Sequence, residues 1–295
     1  VRHVTVLAQR FDRWLFAPGP GSRVWGIRTG LTAVIAVRLL ITPYRQLSTQ
    51  PAALFQPPHL VRFLDQMPSA AVINTVQVIG LIATVLVFAA RKVRLSFATA
   101  WVCFVFLEAL IDSRAKISHH QVVVILAAVP LLLAPTAVTW RDRAEDARSG
   151  WPAKVAMVVV AGAYFFCGLG KVLESKLAWV TSDNVAWILA SGVRSSKPPT
   201  DGIARFIVDH DLLAHAVALG TIGIELTFVL VLFRPSLRPA YAAAAVALHT
   251  GIWLTLGLDY WSWVAAVVIV LLPWESLLPT GQASSTSRAT SSSSS

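Results

Sequence analysis

Lys171 closes the run Tyr164-Phe165-Phe166-Cys167-Gly168-Leu169-Gly170-Lys171, a cation at the end of a long apolar stretch. A charge at the centre of a bilayer costs about 2.5 to 3.5 kcal/mol on insertion scales, so its presence needs a reason. Tyr164, Gly168 and Lys171 are spaced by four and three and share one face of a helix. Gly168 and Gly170 let a second backbone or a flat ligand approach that face. An amine so placed can act as a general base. It can equally end its helix and snorkel to the membrane surface.

Other ionisable residues fall in or beside similar runs. His120 opens one, and His249 and Glu225 lie nearer the middle of two others, too deep to snorkel easily. For each of the deep pair, an interhelical hydrogen bond and a direct chemical role are both open. Glu108 and Asp112, four apart, share a helix face and can pair with a cation across a bundle. Arg38 can snorkel on its long stem. No HxxxH pattern or cysteine cluster accompanies His119 and His120, so no metal site is assigned.

The elements that must position these residues follow from composition. The chain has 295 residues, 56% hydrophobic and 14% charged, with mean hydropathy +0.65, outside the range of soluble domains. A hydrocarbon core of about 30 Å takes roughly 17 to 25 helical residues to cross. The stretches that qualify are Gly26 to Thr42, Ala70 to Ala90, Leu95 to Ile111, His120 to Trp140, Pro152 to Lys171, Leu212 to Phe233, Pro239 to Leu258 and Tyr260 to Leu278. They are continuous and rich in Leu, Val and Ala, without the alternation of barrel strands. The expected fold class is an all-α integral membrane protein, a bundle of about eight transmembrane helices. No second, soluble domain and no internal repeat is evident.

With the N-terminus inside, the inner connections hold 15 Lys and Arg and the outer ones 8. The positive-inside bias therefore predicts that both the N- and C-termini are cytoplasmic. The net charge of +10 is explained by basic loops against anionic lipid, and nucleic acid is not needed as a partner. Residues 1–23 read as a cytoplasmic amphipathic segment without a cleavable signal, 24–278 as the transmembrane domain and 279–295 as a disordered serine-rich tail. Asn184 to Ser191 is expected to form a short amphipathic helix in the longest outer connection. Cys103 and Cys167 are expected to be buried, unpaired thiols. His120, Lys171, Glu108 and Asp112 map to the outer ends of their spans. The economical consequence is one polar pocket opening outward, able to take a lipid-soluble ligand laterally.

Ala53-Leu54-Phe55-Gln56-Pro57-Pro58, Ser118-His119-His120, the Tyr164 to Lys171 stretch followed by Trp179, and Leu248-His249-Thr250-Gly251-Ile252-Trp253 together resemble the HTTM family, the membrane domain of vitamin K-dependent gamma-carboxylases and their bacterial relatives. The resemblance covers about Trp25 to Trp274 and is most specific at Tyr-Phe-x-x-Gly-x-x-Lys. It implies that Lys171 takes the position of the base that deprotonates a reduced quinone, vitamin K-like. It likewise implies that His120 assists the reacting species and that His249 matches a histidine deep in a later helix. Tyr164, Gly168, Glu108 and Glu225 are then candidates for binding substrate or cofactor. Gly170 stands where the carboxylases carry a second lysine.

Two classes of function are expected from this reading. One is a multi-pass enzyme of the cell membrane, with carboxylase-like (lyase) or quinol-dependent chemistry on a site facing the extracytoplasmic side. The other is a non-enzymatic membrane partner, serving maturation or immunity of a secreted peptide, or a small-molecule carrier. Inverted repeats and broken helices, the usual marks of a carrier, are not evident.

Overall fold

The computed structural model describes residues 2–114, 120–195 and 201–277. His119 and the expected disordered tail lie outside them. In chain order the described helices are α1 (Arg2–Leu15), α2 (Gly21–Ile41), α3 (Ala70–Phe88), α4 (Val93–Asp112), α5 (Val122–Leu132) and α6 (Ala147–Ser175). They continue as α7 (Ala178–Thr181), α8 (Asn184–Ser195), α9 (Asp201–Val208), α10 (Asp211–Thr227), α11 (Arg238–Leu256), α12 (Trp261–Leu271) and α13 (Trp274–Leu277). A two-residue antiparallel pair joins β1 (Gly19–Pro20) to β2 (Glu145–Asp146), tying the entry of α2 to that of α6.

Among the described residues six helices are long and apolar enough to cross a membrane: α2, α3, α4, α6, α10 with its 3-10 extension to Leu232, and α11 with the turn before it. The chain is thus an all-α protein suited to a lipid bilayer. Two of the eight expected spans are shorter than their hydropathy suggested. α5 and α12 have 11 residues each, about 16 Å of helix at 1.5 Å per residue. Prolines set their ends. The residue before proline is pushed out of the α region. Leu272, ahead of Pro273, accordingly adopts φ −59° and ψ 137°, and α5 stops just ahead of Ala134-Pro135.

Both short helices lie inside the bundle. Val123, Val124, Ala127, Ala128 and Leu131 of α5 and Trp263, Ala266, Val267, Val270 and Leu271 of α12 are buried with Ile27, Leu31 and Ile35 of α2 and Phe104 of α4. Local signals punctuate the longer helices. Ser69 accepts from the Val72 amide at the start of α3, and Asp146 from the Arg148 amide at the start of α6. Gly257, at φ 66°, ends α11 in the left-handed conformation that favours glycine.

Between α2 and α3 the chain runs through short 3-10 turns. Tyr44, Leu47 and Val61 are buried there, and the Gln56 amide donates to the Ser113 carbonyl at 2.8 Å. The apolar content of this connection therefore covers the ends of α3 and α4 in part, while Leu54, Leu60 and Phe63 stay exposed. The expected helix from Asn184 is present and longer, to Ser195, and α9 follows where the sequence reading placed no helix.

Candidate functional site

α6 is the spine of the site. Its Gly168 faces α10 so closely that a Cβ there would lie 2.8 Å from Glu225 Cβ and 3.1 Å from the Leu226 nitrogen. That approach brings Lys171 to Glu225: Nζ is 2.7 Å from Oε1 and 2.8 Å from Oε2. The Trp179 ring of α7 lies over the amine, 5.4 Å from centroid to Nζ. The Lys171 and Glu225 side chains are 23% and 9% exposed, so the pair is mostly withdrawn from solvent. Burying either charge alone would be costly, and the two-oxygen contact offsets that cost. Gly170, by contrast, has nothing within 4 Å of where a Cβ would stand. Only Gly168 supplies the expected close approach to a neighbouring backbone.

Two turns of α6 earlier, Tyr164 organises a buried aromatic cluster. Its hydroxyl is 2.9 Å from His249 Nε2 and accepts from Trp263 Nε1 at 3.1 Å. Its ring stacks on Phe228 at 4.1 Å. Tyr260 continues the cluster, 5.1 Å from the His249 ring and 4.2 Å from His120. His249 is 9% exposed and its Nδ1 has no hydrogen-bond partner among the described residues. A buried polar atom without a partner is unusual and marks a place where something can bind. His249 also lines an open groove of about 530 Å³ between α11 and α12, whose other walls include Tyr260, Val264, Val268 and Ile269, with Asp259 at one end. The groove is predominantly apolar, as a site for a lipid-soluble molecule should be.

Glu108 belongs to a third cluster. It accepts from the Tyr44 hydroxyl at 2.5 Å and pairs with Arg38 Nη2 at 3.4 Å. Arg38 also donates through Nε and Nη2 to the Gln121 side-chain oxygen at 3.1 and 3.2 Å, in the amide orientation that its neighbours dictate. The same amide donates to Ser262 Oγ at 2.8 Å. This network clamps α2, α4, α5 and α12 together at one level. Tyr44 lies outside the spanning helices, and burial, then the Glu108 charge, pushes its hydroxyl well above the ordinary tyrosine range. Glu108, Asp112 and Gln121 line a small cavity of about 210 Å³ with Pro58 and Leu60.

The expected single pocket is therefore resolved into three separate clusters. The structure brings His249, Tyr164 and, through Tyr260, His120 together. It pairs Lys171 with Glu225 farther along the same face of α6, seven residues or about 10 Å from Tyr164. Glu108 and Asp112 fall across the bundle, and the cation expected opposite Glu108 is Arg38, which reaches inward to the carboxylate. Gln121 and Ser262, at the starts of α5 and α12, are joined to each other, and Trp263 reaches Tyr164. The short helices thus end near the level of Tyr164, while α6 runs on to Ser175. Cys103 is buried as expected, but Cys167 is exposed, because it falls on the side of α6 away from the core. Tyr44, Gln121, Phe228, Tyr260, Ser262 and Trp263 were not singled out from sequence. The signal available for Gln121 and Ser262 was a polar residue at the edge of an apolar run.

Among the described residues no group of three or more His, Cys, Asp or Glu is arranged to hold a metal ion. In comparisons with known proteins, the chain matches no protein-family model, no curated protein and no solved structure.

Proposed function

We propose that the protein is a multi-pass cell-membrane enzyme of the HTTM type that takes a proton from a lipid-soluble, quinol-like molecule. In this reading α5 and α12 complete eight spans, both termini are cytoplasmic and the site faces the extracytoplasmic side, as the lysine and arginine count favours. The observation that carries the reading is His249: a buried histidine lining an apolar groove, with Nε2 fixed by Tyr164 and Nδ1 left without a partner.

The groove admits a flat apolar molecule from the side. His249 is a polar residue of its lining, and Tyr164, held by Trp263 and stacked on Phe228, keeps the imidazole from turning. Tyr260 lines the groove beside it and packs on His120. The base that the family resemblance implies is Lys171, paired with Glu225 about two turns of α6 beyond Tyr164, so a proton from a molecule at His249 reaches it only by relay. Carboxylase-like chemistry on a second substrate is the extension that the family resemblance adds.

A lipid extract of the purified protein, examined by mass spectrometry, tests this. A near-stoichiometric quinone is expected, lost in His249→Phe with the fold retained. A quinone-free extract, together with no binding of added naphthoquinol or benzoquinol, would sink the proposal. A non-enzymatic partner of a secreted peptide is favoured by one separate observation, the exposure of Trp187 on α8 and Phe206 on α9. A co-purifying peptide without quinol turnover would select it.

A further inference from the structure

A second groove, of about 650 Å³, runs between α3 and α4 far from the clusters described above. Its walls are Ile79, Ile82, Ala83 and Leu86 of α3 and Leu95 of α4, and it ends on Arg91 and Lys92 in the connection between the helices. Arg91 and Lys92 are exposed, as are Ile79, Ile82, Leu86 and Leu95. The connection is tight and strained: Ala90 and Lys92 take φ of 54° and 41°, left-handed values that non-glycine residues rarely adopt. Ser96 Oγ donates to the Arg91 carbonyl at 2.9 Å and holds the turn.

The charge at this end is one-sided. α3 carries no carboxylate, and the two on α4, Glu108 and Asp112, lie at its opposite end. Among the described residues neither Arg91 nor Lys92 forms an ion pair. The groove at His249 differs in this respect, since it ends on Asp259. Apolar walls leading to two cations describe an amphiphile with a long hydrocarbon part and an anionic head.

We propose that the α3–α4 groove seats one anionic phospholipid, its phosphate between Arg91 and Lys92 and an acyl chain along Ile79, Ile82 and Leu86. A zwitterionic lipid gains less there, because its ammonium finds no carboxylate on the groove's walls or on the turn that ends it. A soluble phosphate ester carries the same head but has no part to occupy the groove. The seat is independent of any ligand at His249.

Native mass spectrometry tests the proposal with full-length protein exchanged into micelles holding equal phosphatidylglycerol and phosphatidylcholine with matched chains. The wild type should retain one phosphatidylglycerol in preference to phosphatidylcholine. Arg91→Gln/Lys92→Gln, at exposed positions that do not threaten folding, should lower that preference about thirty-fold, the effect of two basic residues near a lipid surface. Ile82→Trp, which fills the groove and leaves the charges, should displace the lipid. Arg141→Gln/Arg143→Gln, on another connection, should change nothing. Equal retention of the two lipids by the wild type would overturn the proposal, as would an equal loss in the Arg141/Arg143 variant. Full competition by soluble glycerol phosphate at lipid-like concentrations would overturn it too, because the groove would then contribute nothing.

Discussion

Gly168→Ala should loosen the contact between α6 and α10 and release the Lys171–Glu225 pair. A Cβ at this position would stand 2.8 Å from Glu225 Cβ, 3.1 Å from the Leu226 nitrogen and 3.2 Å from Leu226 Cδ2. Comfortable carbon contacts lie at about 3.5 to 4.0 Å, so α10 must retreat by at least about 0.7 Å. Two of the obstructing atoms are a backbone nitrogen and a Cβ, neither of which can swing aside as the end of a flexible side chain would. Overpacking of this kind costs about 1 to 3 kcal/mol. Two glycines on the same helix serve as controls. At Gly170 a Cβ meets nothing within 4 Å, and at Gly162 the nearest atom, Phe166 Cε2, is at 3.7 Å. Alanine there should be neutral or stabilising by about 0.5 to 1 kcal/mol, the usual helix preference over glycine. Alanine's helix preference is common to both variants, so the separation between Gly168→Ala and Gly170→Ala is about 1 to 3 kcal/mol, the overpacking alone. Reversible unfolding in mixed micelles measures it. A second readout is the rate at which an amine-directed reagent modifies Lys171, which should rise in Gly168→Ala as Glu225 is pushed away. Equal stability of the two alanine variants, with equal Lys171 reactivity, would refute the claim that close packing at Gly168 sets the pair.

Removing one member of the pair, by Lys171→Met or Glu225→Gln, should destabilise by about 2 kcal/mol, below the about 3 to 5 kcal/mol typical of a fully buried pair because the lysine retains some exposure. The double variant should cost less than the sum of the two, a coupling read from a double-mutant cycle of unfolding free energies. Tyr164→Phe deprives both His249 Nε2 and Trp263 Nε1 of a partner. It should cost about 1 to 3 kcal/mol for each buried group left unsatisfied, measured by the same unfolding assay. Tyr44 is held protonated in the fold by burial and the Glu108 charge. Its contribution should be complete below the unfolded tyrosine pKa of about 10 and decline as pH rises through that region. The stability gap between wild type and Tyr44→Phe should accordingly be constant below about pH 9 and shrink above about pH 10; a gap that widened there would contradict the assignment.

The long spans were readable because their apolar runs are continuous: Ala70 to Ala90 was expected and α3 is Ala70–Phe88. Lengths failed where apolar composition outlasts the helix. Leu133 and Ala134 follow α5, and Leu272 follows α12, so hydropathy does not register the stop that Pro135 and Pro273 impose. The shared face of Tyr164, Gly168 and Lys171 was legible from spacing alone, since it belongs to one helix. Its partners were not. Spacing places Glu225 on a different helix at an unknown rotation, and only packing against Gly168 turns it towards Lys171. Arg38 illustrates the same limit. A long stem near the end of a span permits snorkelling, and it was tertiary contact with Glu108 and Gln121 that drew it inward.

The shortness of α12 bears on the lipid around the protein as well as on the site. α12 forms one wall of the His249 groove with 11 residues, about half of the roughly 30 Å that a hydrocarbon core requires. A bilayer meeting that wall is too thick for it, and the local response to such a mismatch is thinning. Acyl chains there would be shortened and disordered, and headgroups would sink towards the groove. On the proposed function the entrance would then lie where the membrane is softest, so a ligand's entry rate should depend on bilayer thickness even when its affinity for the groove does not.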